Sequence, residues 1–325
     1  MNYLSVCSGI EAATVAWHDM GWNPVGFSEI EKFPSQLLAH HYPNVTNYGD
    51  MTKFKEWNIN EPVNLLVGGT PCQSFSVAGL RKGLDDPRGN LMLTYLAMAD
   101  HFKPKWLLWE NVPGVLSSNR GADFGALIQG MAQLGYGFAY RVLDAQYFGV
   151  PQRRRRVFVV GCLGDWRSAA KVLFESESLC RDITKGIEKR KISPTLTKEG
   201  TGVSRPGFNE DGWYVLASTL TRNGAGGNNY ECGDTYVPHI MSTLNASDGN
   251  KWGCNQWVDE GKCFLDNAIP RRLTPTECER LQGFPDSYTN TPTSSDTVRY
   301  KALGNSMAVP VMKWIGNRIA EIDNE

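Results

Sequence analysis

The chain has 325 residues, enough for one large domain with a smaller one attached. Its 33 Lys and Arg against 34 Asp and Glu leave a formal net charge of −1, which by itself argues against a polyanion partner. No run of about 18 apolar residues occurs, and the start of the chain lacks a charged region with a cleavage site, so neither a membrane span nor a signal peptide is expected. The eight cysteines form no C-x-x-C pair, which argues against a zinc site and for free thiols in a reducing cytoplasm.

In chain order, Tyr3 to Cys7 reads as a short strand, Ser8-Gly9-Ile10-Glu11 as a turn, and Ala12 to Met20 as a helix ended by Gly21. Val25 to Ser28 is a second strand closing on Glu29, and Phe33 to His41 a second helix. The apolar run Val63 to Val67 predicts a buried strand, turning at Gly68-Gly69 into Thr70-Pro71-Cys72-Gln73. A fourth strand near Leu107 to Trp109 runs into Glu110-Asn111-Val112-Pro113-Gly114. Leu127, Met131 and Leu134 repeat at helical spacing, and Val157 to Val160 is a strong later strand. Such alternation implies an α/β fold, a doubly wound, mostly parallel Rossmann-like sheet. From about 165 to 265 the chain turns rich in Gly, Asn, Ser and Thr, and Thr195-Leu196, Thr219-Leu220 and Thr243-Leu244 recur 24 residues apart. Short strands in a small mixed or β domain are expected there. Thr274-Pro275-Thr276-Glu277 predicts a capped helix stopped at Gly283. Gly304-Asn305-Ser306 is read as opening a last helix over Val309 to Ile322, which should pack back on the first domain and make the second an insertion.

Charge is unevenly spread. Residues 1–150 hold 10 Lys and Arg against 13 Asp and Glu, a net of −3, while 151–205 hold 13 against 6, a net of +7. The basic segment starts at Gln152-Arg153-Arg154-Arg155-Arg156, a footprint suited to phosphate contacts or simply a solvated run. In strand geometry Arg154 and Arg156 share one face, Arg153 and Arg155 the other. Cys72 and Glu110, each at the end of an apolar strand, pair as nucleophile and proton donor; alone, the thiol would equally suit a small buried apolar position. Gly9 can open its main chain to a polar cofactor group, and Glu29, 20 residues on, stands where a carboxylate reaches ribose hydroxyls. Asp50 could accept from an adenine amino group or merely cap a helix.

The motifs Cys7-Ser8-Gly9-Ile10, Gly69 to Ser76, Glu110-Asn111-Val112, Gln152 to Arg156, Arg272 to Glu277 and Gly304-Asn305-Ser306 occur in an order that resembles the DNA (cytosine-5) methyltransferases of bacterial and phage type. The resemblance covers 1–162 and 270–322. It implies a catalytic domain of 1–164 and 270–325, with a target-recognition domain at 165–269. One departure stands out: Cys7, Glu11 and Ala12 occupy positions where the family has Phe and further glycines, which removes an aromatic partner for adenine.

The implied chemistry suits the residues. Cys72 adds to C6 of a flipped-out cytosine, Glu110 protonates or hydrogen-bonds N3, which asks for a raised pKa, and C5 takes the methyl of S-adenosylmethionine. Arg154 and Arg156 hold the base, the Cys72 loop or a phosphate. Cofactor contacts carry over to Ser8, Gly9, Ile10, Glu29, Asp50, Pro71, Asn305 and Ser306, and DNA contacts to Gln73, Ser74, Ser76, Arg153 and Arg155. Asn111 is expected to support the Glu110 loop, and the glycine-rich Ser74 to Asn90 to close over the base. The resemblance further implies a cytoplasmic monomer acting on double-stranded DNA without a metal, alone or beside a cognate restriction endonuclease. A nicotinamide-dependent oxidoreductase would explain Gly9 and Glu29 but lacks the full glycine fingerprint. An inactive DNA-binding relative would have to lack Cys72 or Glu110.

Overall fold

The computed structural model describes residues 1–71, 91–174, 263–266, 269–292 and 294–325. Six strands form one sheet: β1 (Asn2–Val6), β2 (Asn23–Ser28), β3 (Leu65–Gly68), β4 (Trp106–Asn111), β5 (Tyr136–Asp144) and β6 (Arg155–Leu163), in the order β2-β1-β3-β4-β6-β5. The ladders joining β1, β2, β3 and β4 are parallel, whereas β6 is antiparallel to both β4 and β5. β7 (Cys263–Asp266) and β8 (Ile269–Arg272) pair as a separate antiparallel hairpin. The expected α/β sheet is therefore present, with a reversed strand inserted before its edge.

The helices are α1 (Ala12–Trp17), α2 (Lys32–His41), α3 (Leu91–Phe102), α4 (Ala122–Gln133), α5 (Trp166–Leu173), α6 (Pro275–Gln282), α7 (Asp296–Asn305) and α8 (Val309–Asp323). Strand side chains alternate between two cores because successive residues point to opposite faces. Tyr3, Leu65, Trp106, Leu108 and Phe158 face one core, with α1, α5 and α8. Leu4, Leu66, Leu107, Trp109 and Val157 face the other, with α3 and α4. The last helix packs on α1 as expected: the buried Trp17 indole donates to the Met312 carbonyl at 2.8 Å. Helix α5 packs on β5 and β6 and begins at residue 166, so this body continues past the boundary expected at 164.

Several local readings hold. Gly21 closes the first helical segment in a left-handed conformation, and Thr274 and Glu277 form the full capping box on α6. One does not: Gly304 and Asn305 end α7, and Ser306 is its C-cap. The last helix starts later, from Ala308, with Pro310 in its first turn where a missing N–H costs nothing. The Thr-Leu recurrence lies outside the described residues.

Candidate active site

The turns after β1, β2, β3 and β4 meet at the carboxyl edge of the parallel strands, the edge where open α/β sheets bind ligands. Strand β6 runs the other way, with Glu110 opposite Phe158 and Asn111 opposite Val157, so its first residues reach the same edge. Arg156 thereby meets Glu110: Nε lies 3.0 Å from Oε1, with side-chain exposures of 15% and 13%. Burial raises the Glu110 pKa, and the charges of Arg156 and then Arg154 oppose the rise. Burial lowers Arg156, and lowers Arg154 to about 9, although both remain cations at neutral pH.

The two arginines do different work. Arg154 is buried and points to the C-terminal segment, where its Nη2 donates to the carbonyls of Gly304 at 3.2 Å and Ser306 at 2.6 Å. It fixes the turn carrying Asn305 and Ser306 to the sheet. Arg155, the first residue of β6, is exposed, and Arg153, which precedes the strand, is half-buried.

Asn111 supports the Glu110 turn. Its Nδ2 donates to the Thr70 carbonyl at 2.8 Å, and its Oδ1 accepts from Val112 N at 2.8 Å. The Trp109 indole donates to Thr70 Oγ1 at 3.0 Å. Thr70 and Pro71, which lead into Cys72, are thus clamped to β4. Gly69 permits the approach, because a Cβ there would lie 2.7 Å from Glu110 Oε2. Cys72, Gln73, Ser74, Ser76 and the rest of 72–90 lie outside the described residues.

A cleft opens between these turns. Ser8, Gly9, Glu11, Glu110, Asn305 and Ser306 line it, so five of the sequence-predicted residues come together there. Among the described residues, no Lys, Arg or His lines it. Glu29 sits beside it: Oε2 accepts from Gly9 N at 2.7 Å and Oε1 from Glu31 N at 2.7 Å. Ile10 is buried, and its carbonyl accepts from Tyr288 at 2.9 Å. Asp50 is exposed and caps the following turn, taking Thr52 N at 2.9 Å and Thr52 Oγ1 at 2.8 Å. Pro71 lines a second cavity with Thr70 and Asn111. Tyr288, which braces the turn from far along the chain, carried no sequence signal. Among the described residues, no group of three or more His, Cys, Asp or Glu could hold a metal, and no helix is long and apolar enough to cross a membrane.

A family model for C-5 cytosine-specific DNA methylases matches residues 1–321. A protein of Escherichia phage P1, named as a DNA N-6-adenine-methyltransferase, is 35% identical over 464 residues. That match takes in 98% of this chain but 61% of the phage protein, so the chain spans about three fifths of that relative's length. The Type II methyltransferase M.SsoII of Shigella sonnei is 30% identical, over 97% of this chain and 79% of its own. Among solved structures, the Dnmt2 methyltransferase of S. pombe superposes with a TM-score of 0.63 at 19% identity, covering 100% of each chain.

Proposed function

The chain belongs to the C-5 cytosine-specific DNA methylase family of enzymes, and we propose that it transfers a methyl group from S-adenosylmethionine to C5 of a flipped-out cytosine in double-stranded DNA. The observation that carries the reading is the half-buried Glu110–Arg156 pair beside the clamped Thr70-Pro71 turn that leads into Cys72. In this reading the Cys72 thiolate adds to C6, which breaks the aromaticity of the ring and makes C5 nucleophilic. Glu110, made more basic by burial, holds a proton for N3 while Arg156 keeps the carboxyl oriented. Loss of the C5 proton and expulsion of Cys72 complete the cycle.

The cleft suits the cofactor. S-adenosylmethionine supplies an electrophilic methyl on a cationic sulfur, and a cleft whose described lining includes the carboxyls of Glu11 and Glu110 favours such a ligand. Ser8, Gly9, Asn305 and Ser306 would hold the cofactor, with Glu29 on its ribose. Arg155 and the basic run after it would meet DNA phosphates, and 165–269 would recognise the target sequence, as a solitary enzyme or one paired with a restriction nuclease.

The test is base-resolution sequencing of methylated bases in DNA from a methylation-deficient host expressing the chain. The expected result is 5-methylcytosine at one short motif, abolished by Cys72→Ser and strongly reduced by Glu110→Gln. Normal methylation by the Cys72 variant sinks the nucleophile assignment. N6-methyladenine in place of 5-methylcytosine, the activity in the name of the phage P1 relative, would sink the base assignment.

A further inference from the structure

Glu11 is 1% exposed, yet it lines the cleft beside Ser8 and Ser306. Its carboxylate accepts from Ser5 Oγ at 2.8 Å and from Thr14 N and Oγ1 at 3.3 and 3.1 Å. All three donors are neutral. The titratable groups facing it are neutral or acidic: Tyr3 on β1, Glu29 after β2, Tyr42 after α2 and Tyr288 after α6. Among the described residues no salt bridge reaches it. Its backbone has φ 62° and ψ 59°, a left-handed conformation that a glutamate adopts at a cost. Buried charge is stable only when paired. A carboxyl is thus held in a strained turn at the edge of a ligand cleft, and among the described residues none provides a counter-ion.

We propose that Glu11 is the counter-charge for a cationic sulfonium ligand, so that binding S-adenosylmethionine draws one proton off Glu11 while binding S-adenosylhomocysteine does not. The inference rests on the cofactor reading above and adds a role for a residue outside the chemistry. In the free protein burial holds the carboxyl near 7, so slightly below neutrality it is mostly protonated. The sulfonium favours the ionised form, and the proton passes to solvent. After methyl transfer the sulfur is uncharged, Glu11 takes a proton back from solvent, and the product is held less tightly than the donor. Both ligands carry the same amino and carboxylate groups, so those contributions cancel in the comparison.

Calorimetric titration of the full chain, in two buffers of different ionisation enthalpy, reads the proton directly. At pH about 6, close to one proton should leave per S-adenosylmethionine bound and none per S-adenosylhomocysteine. The donor-to-product affinity ratio should rise up to about fivefold from pH about 6 to about 7. Glu11→Gln should remove the release and flatten the ratio, Glu11→Asp should keep both, and Glu110→Gln, which removes the other carboxyl of the cleft, should keep the release. Equal release with the two ligands, or undiminished release in Glu11→Gln, overturns the proposal. Should Glu11→Gln not fold, the wild-type comparison of the two ligands and the Asp variant decide it. Donor binding without proton release overturns the Glu11 role alone, whereas no binding of either ligand overturns the cofactor reading with it.

Discussion

Glu11 and Glu110 border one cleft, and their neighbours set them apart. Glu110 has a guanidinium 3.0 Å away, whereas Glu11 has only hydroxyl and amide donors. The consequence for Glu11 is a stability that depends on pH. Its pKa is about 7 folded and near 4.5 unfolded, so between those values the folded state holds a proton that the unfolded state has lost. Stability therefore falls as pH rises through that window, by about 3 kcal/mol in total. Glu11→Gln stays neutral throughout. Relative to wild type it should gain stability from pH about 4.5 to about 7 and level off above, as urea unfolding at several pH values would read. A difference that does not change with pH rejects the assignment. In the sequence Glu11 stood out only as a departure where the family has glycine. Its isolation depends on Tyr42 and Tyr288, which come from distant segments.

At the scale of elements, the β4 turn governs the β3 turn. Asn111 satisfies the Thr70 carbonyl and Val112 N together, and removing it leaves the carbonyl of the buried Thr70 short of that donor. Asn111→Ala should lower kcat by about 10- to 100-fold, since a reacting group displaced by about 1 Å loses that much. Affinity for the proposed cofactor should hold, because Asn111 is not among the residues lining the Ser8–Ser306 cleft. Single-turnover kinetics with a cofactor-binding titration would separate the two, and a matching loss of affinity would refute this division of labour. Most strands were legible as apolar runs and α6 by its cap. Several elements were not. Helix α3 is buried from Met92 to Ala99, so it has no polar face and no helical period to read. Helix α7 has little apolar asymmetry, and β5 is an edge strand with mixed burial.

At the scale of the molecule, the chain's last helix closes the body against its first. A Cβ on Gly316 would lie 2.2 Å from the Trp17 indole nitrogen, itself fixed by the Met312 carbonyl. Alanine would gain about 1 kcal/mol of helix propensity at that position. The clash falls on a large buried ring that cannot turn away, and overpacking of this kind costs about 1–3 kcal/mol or more. Gly316→Ala should therefore be destabilising, with a lower thermal midpoint, and an unchanged or higher midpoint would show that α8 can shift on α1.

The sequence by itself determined the alternation of strands and helices, the ends of β1, β3 and β4 where the candidate groups lie, and the family, because apolar runs, caps and short ordered motifs are local properties. What only the tertiary structure decided was which of those ends meet. In a wholly parallel sheet the start of β6 would lie at the edge opposite Glu110, and Arg154 and Arg156 would be out of reach. The reversal of β6, with Val157 opposite Asn111, brings both arginines to the carboxyl edge. Strand direction follows from how distant segments pack and pair their backbone hydrogen bonds, and no residue within β6 states it.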